Sequence, residues 1–284
     1  MADQNTIELI KALRERTGAG MMDCKHALEE NHNDIEKSVD WLREKGIAKQ
    51  AKRASRTAAE GLALVKTCPE CGKVAIAEIN CETDFVSASD KFKALVDKTL
   101  SVLLEKEPKD LSEAKKLTEK DFTDAAVAVG EKLDFRRFSV VSPKVGEGVG
   151  TYIHMGGKIA VVCVLAKEDK EFANQLAMHI AANNPLYIDL KDVPAADRAR
   201  EKAIADSEVA SDEKLKSKPD AVKAQIAERK VDKTLSVSCL LLQNYLLDES
   251  KTVGQVLKEK GNAVVSFVRY QVGEGIVKNC EQAE

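Results

Sequence analysis

Lys73-Val74-Ala75-Ile76-Ala77 and Lys158-Ile159-Ala160-Val161-Val162 are two versions of one short apolar run led by a lysine. A brief apolar run bounded by glycine and charge predicts a buried strand. Each run leads into a helical pattern, with Phe92, Leu95 and Val96 after the first and Phe172, Leu176 and Ile180 after the second. Steps of three or four residues line one face of a helix. Each copy also closes on a β-type run and the same four residues, Val145-Gly146-Glu147-Gly148 and Val272-Gly273-Glu274-Gly275. A repeat of this kind predicts an α+β core of two related antiparallel-sheet and helix subdomains. They are expected at 61–149 and at 150–194 with 236–275.

Lys158 to Glu274 is a longer stretch than Lys73 to Glu147, so the second copy holds an insert. Residues 195–235, Ala195 to Leu235, are highly charged, helix-forming and broken near Ser217-Lys218-Pro219. Pro219 suits a first helical turn, which predicts a hairpin of two helices. Val222 and Ile226 give the second helix a narrow apolar stripe, so the hairpin needs a partner surface or close helix pairing. A homodimer through it is one expectation.

Ahead of the repeats lie three amphipathic segments. Thr6 to Arg16 turns Ile10 and Leu13 inward, Met21 to Glu30 forms the second, and the third, from Asp34, places Ile35, Val39 and Leu42 on one stripe. Thr17-Gly18-Ala19-Gly20 separates the first two, and Asn31-His32-Asn33-Asp34 supplies turn and N-cap chemistry before the third. A three-helix domain over 1–45 is expected. Residues 46–60, rich in Ala, Lys and Arg, read as a linker with helical leanings, and 276–284 as a tail.

The 284 residues are 44% hydrophobic, 32% charged and 4% aromatic, which suits a helix-rich soluble protein of more than one packed unit. With 44 Lys and Arg against 47 Asp and Glu, the net charge of -3 supplies no broad basic face for phosphates. A protein partner is expected, with no direct nucleic acid. Met1 to Ile10 lacks the order of a signal or transit peptide, and no stretch approaches the roughly 18 apolar residues of a membrane span. A cytoplasmic chain without membrane contact follows. Seven scattered cysteines, an odd number, argue for reduced thiols over a disulfide framework. No Gly-x-x-x-x-Gly-Lys-Ser/Thr stretch is present, so the chain is not itself a GTPase.

Leu13-Arg14-Glu15-Arg16-Thr17-Gly18-Ala19-Gly20-Met21-Met22-Asp23-Cys24-Lys25 closely resembles the N-terminal motif of the elongation factor Ts family. Asn80-Cys81-Glu82-Thr83-Asp84-Phe85-Val86, at the strand-to-helix junction of the first repeat, is similar to that family's Thr-Asp-Phe-Val segment. With Ser250-Lys251-Thr252-Val253-Gly254-Gln255 and the closing Val-Gly-Glu-Gly, the resemblance spans nearly the whole chain.

The resemblance implies a guanine nucleotide exchange factor without bond-breaking chemistry, needing no cofactor or metal. It implies binding to elongation factor Tu, GDP-bound and nucleotide-free, and release of GDP during translation elongation by disturbing the partner's magnesium and phosphate site. By position, Thr83, Asp84, Phe85 and Val86 inherit the segment that enters the partner, its ring wedging between helices near the magnesium. Leu13, Met21 and Met22 are candidate partner contacts, and His154 is the histidine the family presents. The three-helix unit also resembles ubiquitin-associated domains, a likeness of fold that says nothing about ubiquitin.

Taken without the resemblance, Phe85 reads as a core aromatic at a strand end and Asp84 as a helix N-cap. Adjacent methionines differ by about 100° around a helix, so Met21 and Met22 cannot both face inward. His154 and His179 are lone imidazoles with no neighbouring acid or nucleophile to suggest catalysis. Cys68-Pro69-Glu70-Cys71-Gly72 has the turn chemistry of half a zinc site but no second pair, and lacks the βαβ surroundings of a thioredoxin-like centre. It reads as an incidental thiol pair in a hairpin. A thiol oxidoreductase using it, or a ubiquitin-like adaptor, leaves the Thr-Asp-Phe-Val segment without a purpose. Nine residues follow Gly275, where longer family members add a helix, so that contact is expected to be missing. The leucine-rich stretch Cys239 to Leu247 matches the family poorly and leaves the strand register of the second half open.

Overall fold

The computed structural model describes residues 4–277 apart from 54 and 216, with side chains left out at 4, 5 and 47–52. The chain opens with helices α1 (Gln4–Thr17), α2 (Met21–Glu30) and α3 (Ile35–Arg53). Strands β1 (Glu60–Thr67) and β2 (Val74–Cys81) lead to α4 (Asp84–Ala88), α5 (Asp90–Lys106), α6 (Leu111–Val129) and β3 (Asp134–Val141). Next come β4 (Gly148–His154), β5 (Ile159–Leu165), α7 (Lys170–Asn183), α8 (Ala195–Ser211) and α9 (Asp220–Ser236). The chain closes with β6 (Asn244–Tyr245), β7 (Asp248–Thr252), α10 (Val253–Glu259) and β8 (Val264–Gln271). This is an α+β fold, with sheet orders β1-β2-β3, β4-β5-β8 and β6-β7.

The described residues fall into two compact units, one from 1–142, 153–160 and 270–284, the other from 143–152 and 161–269. These boundaries depart from those expected from the repeat. Residues 143–149 go with the second unit, while 153–160 and 270–275 go with the first. The reason is backbone contact. The turn after β4 lies on β1: the Ala63 N–H donates to the Gly157 carbonyl at 2.7 Å, and Lys158 pairs with Glu60 at 2.7 Å. Gly157 sits at φ +103° with Leu62 Cδ2 2.9 Å from where a Cβ would stand, so only glycine fits.

In the first unit, Leu13, Ala19, Cys24, Ala27, Leu28, Val39 and Leu42 form the core of the three-helix bundle. The expected end of this domain at residue 45 falls inside α3, which continues to Arg53, so the first part of the expected linker is helix. Gly46 lets α3 approach α6 closely: a Cβ there would stand 2.3 Å from Val127 Cγ2. Arg43 Nε donates to Asp124 of α6 at 2.9 Å.

Every residue of β2 is buried, as a central strand covered on both faces must be. Ala75, Ala77, Ile79 and Cys81 share one face and pack with Phe92, Val96, Leu100 and Leu103 of α5. The opposite face holds Glu78, whose carboxylate is wholly buried. Arg136 Nη1 reaches it at 2.8 Å, Arg137 Nε at 2.6 Å and the Gly273 N–H at 2.8 Å. Successive strand side chains point to opposite faces, so two adjacent arginines on one carboxylate need an irregularity. The register shifts there: Glu78 pairs with Arg137 and Ile79 with Phe135, leaving Arg136 as the extra residue of a bulge.

In the second unit, Phe172, Leu176 and Ile180 of α7 are buried as their spacing predicts. Helices α8 and α9 form the hairpin of the insert, with a core of Ala205, Val209, Ala227, Val231 and Leu235. The inner stripe of α9 thus centres on Ala227 and Val231, with Ile226 packed at its margin. In the leucine-rich stretch Leu240–Leu242 is a single 3-10 turn, followed by the two-residue strand β6, Asn244–Tyr245. Among the described residues no helix is long and apolar enough to cross a membrane.

His179, fully buried on α7, accepts the Leu246 N–H at Nδ1 (3.2 Å), which leaves Nε2 to donate to Gln243 Oε1 at 3.0 Å. A proton on Nδ1 would face a donor, and burial pushes the ring's pKa below its ordinary 6.5. The folded state therefore resists protonation, and its stability is complete above the ordinary value and declines as pH falls through it. From about pH 7.5 to about pH 5.5, unfolding free energy is expected to drop by up to 1.4 kcal/mol per unit once below 6.5. Urea titrations of the wild type and His179→Gln check this, since an equal pH slope in the two would contradict it.

Candidate functional site

Thr83 ends the run out of β2 and caps α4: its Oγ1 accepts the Val86 N–H at 3.4 Å and donates to Glu131 Oε1 at 2.6 Å. Asp84, expected as the cap, is instead the first helical residue, where its charge faces the positive end of the helix. Glu131 Oε2 accepts the N–H groups of Glu82 (3.1 Å) and Thr83 (3.0 Å), while Glu82 Oε1 accepts the Lys132 N–H at 2.7 Å. The two segments thus hold each other reciprocally. Ser87 Oγ donates to the Asp84 carbonyl at 2.9 Å and Ser89 Oγ to that of Val86 at 2.7 Å, fixing the five-residue helix from its far end.

On this platform Val86 packs against the first sheet's core, while Phe85 is 86% exposed. The reading of Phe85 as a core aromatic is overturned. Leaving a phenyl ring in water forgoes about 1.5–3 kcal/mol of burial. Asp84 beside it is also exposed.

Leu13 does not belong to an exposed contact: it is 0% exposed and central to the helical bundle, since the inward stripe of α1 includes it. Met21 and Met22 both lie outside, at 59% and 61% exposure, because Cys24, Ala27 and Leu28 form the buried face of α2. Lys91 Nζ, in the first turn of α5, donates to the Gly18 carbonyl at 3.3 Å and brings the loop before Met21 beside the α4–α5 junction. His154 ends β4 on an exposed turn with Met155, which takes φ +49° and is 71% exposed.

Glu131 is a residue sequence reasoning missed. Its one local signal is Gly130, at φ +76° after the end of α6, a left-handed C-cap that turns the chain back toward Thr83. Glu131→Ala removes three acceptor contacts, and with hydrogen bonds to a charged group worth about 1.5–3 kcal/mol the loop loosens. In Glu131→Ala the backbone amides of α4 are expected to lose protection in hydrogen exchange, and unchanged protection would count against the bracing role.

Thr83 to Val86 thus form a short braced helix that holds the Phe85 ring out in solvent. The family model for elongation factor Ts matches residues 82–274, and the chain belongs to the elongation factor Ts family, the nucleotide exchange factors for elongation factor Tu in translation elongation. The matched range begins at Glu82 and includes Thr83 to Val86, His154, Val145 to Gly148 and Val272 to Glu274, while the Leu13 to Lys25 motif precedes it.

Proposed function

We propose that the chain releases GDP from elongation factor Tu by inserting Phe85, with Thr83, Asp84 and Val86, between helices of the partner's nucleotide domain near its magnesium and phosphate site. The exposure of Phe85 on a braced helix supports this most. A flat ring holds two helices apart by van der Waals contact, and a platform fixed in advance spends little of that contact on ordering itself. Met21 and Met22 supply an adaptable apolar contact, and His154 a polar one at its turn. Leu13 supports the bundle from inside. No bond breaks, and exchange follows from tighter binding to the nucleotide-free partner than to the GDP-bound one. The reading places the chain in the cytoplasm with its partner, without nucleic acid.

Stopped-flow release of a fluorescent GDP analogue from elongation factor Tu tests it. The rate is expected to rise with added chain and to saturate, and a rate independent of the chain would overturn the reading.

A further inference from the structure

Nucleotide exchange leaves two thiols of the β1–β2 turn unused. The Cys68 N–H donates to the Lys73 carbonyl at 2.8 Å and the Gly72 N–H to the Cys68 carbonyl at 3.0 Å, with Gly72 at φ +69°. The turn is thereby pinned, and Pro69 stiffens it further. Cys68 is half-buried and Cys71 exposed. The polar surroundings of the Cys68 sulfur, the Cys71 thiol first and then the backbone of Cys71 and Glu70, hold its pKa below the ordinary thiol range. Lys73, the residue after Gly72, pairs with Glu107.

The other described cysteines are built the opposite way. Cys24, Cys81, Cys163 and Cys239 are buried. Burial raises all four, Cys81 and Cys163 to about 12. A metal does not account for the pair, because a closed tetrahedral zinc site needs four ligands and no cluster of three or more ligating side chains gathers among the described residues.

We propose that Cys68 and Cys71 form a dithiol–disulfide exchange site whose substrates are low-molecular-weight disulfides, Cys68 being the attacking sulfur and Cys71 the resolving one. The Cys68 thiolate forms a bond to one sulfur of the small disulfide, whose S–S bond breaks and sends the electron pair out on the departing thiolate. Cys71 gives its proton to solvent and attacks Cys68 in the mixed disulfide, releasing the second small thiolate. Both departing thiolates can take protons from solvent. The protein pair is oxidised by two electrons and the small disulfide reduced to two thiols. The two cysteines stand three residues apart in one hydrogen-bonded turn, so the second step joins neighbours within it.

The site is independent of the exchange reading, since the turn and Thr83 lie at opposite ends of β2, about 25 Å apart by strand length. The test equilibrates the reduced full chain with mixtures of oxidised and reduced glutathione, then alkylates and maps the peptides. A Cys68–Cys71 disulfide is expected to accumulate before any change at Cys24, Cys81, Cys163 or Cys239. Cys68 should react with an alkylating agent about tenfold or more faster than those four. Cys71→Ser should trap a stable mixed disulfide of Cys68 with glutathione, and Cys68→Ser should slow oxidation of the turn by about tenfold. The proposal is overturned if both turn thiols stay free while other cysteines oxidise, if the wild type halts at the mixed disulfide, or if Cys68→Ser leaves the rate unchanged.

Discussion

Phe85→Ala is expected to lower catalysed GDP release from elongation factor Tu by roughly thirty-fold or more while leaving the melting temperature of the chain nearly unchanged. Removing a buried aromatic anchor at an interface costs about 2–4 kcal/mol, and each 1.4 kcal/mol is about a tenfold change in rate. The ring is 86% exposed in the free chain, so its removal opens no cavity, and surface substitutions usually stay within about 0.5 kcal/mol of the parent. Linkage adds a second readout: GDP weakens the protein complex by the same factor by which the complex weakens GDP, and the variant reduces both effects together. Stopped-flow release run beside thermal denaturation decides the matter. Near-normal exchange, or a loss that follows unfolding, would defeat the wedge.

Glu78→Ala is expected to cost about 3–5 kcal/mol of stability, the range for breaking a buried ion pair by removing one partner. The substitution takes the shared acceptor from the guanidiniums of Arg136 and Arg137 and from the Gly273 N–H, although Arg137 keeps Glu274 at 3.1 Å and Arg136 still donates to the Glu274 carbonyl. A more informative comparison is Glu78→Gln, which retains an acceptor oxygen and should lose less. Urea unfolding of the full chain measures both. A loss below about 1 kcal/mol for Glu78→Ala would show that water substitutes freely for the carboxylate. The cluster is no evidence that charge stabilises better here than a well-packed apolar group would.

Periodicity made the strand-to-helix order legible, because Val74 to Ala77 and Phe92 to Val96 meet the solvent pattern that folding imposes locally. The helical insert was legible for the same reason, through charge and Pro219. The exposure of Phe85 was not, since the residue types around it suit a strand end equally well inside or outside; its role came only through resemblance. Leu13 shows the converse, a motif residue that resemblance set beside Met21 and Met22 but that the apolar stripe of its own helix takes inward. Glu131 and the paired arginines escaped altogether. Glu131 meets Thr83 across 48 residues of chain, and a single-residue bulge re-aims Arg136, so neither contact leaves a local periodic trace.

Glu78 and the Gly273 N–H are separated by 195 positions in the chain yet share one hydrogen bond. A ribosome adding about 5–20 residues per second therefore exposes the first sheet well before its last backbone donor exists. Until that segment emerges, Glu78 has its arginines but lacks the Gly273 amide, and the nascent first unit is held short of its final state. Completion becomes a post-synthetic event coupled to the arrival of the closing strand, and a chain cut just before Val272 should behave as an unfinished nascent protein, prone to chaperone binding.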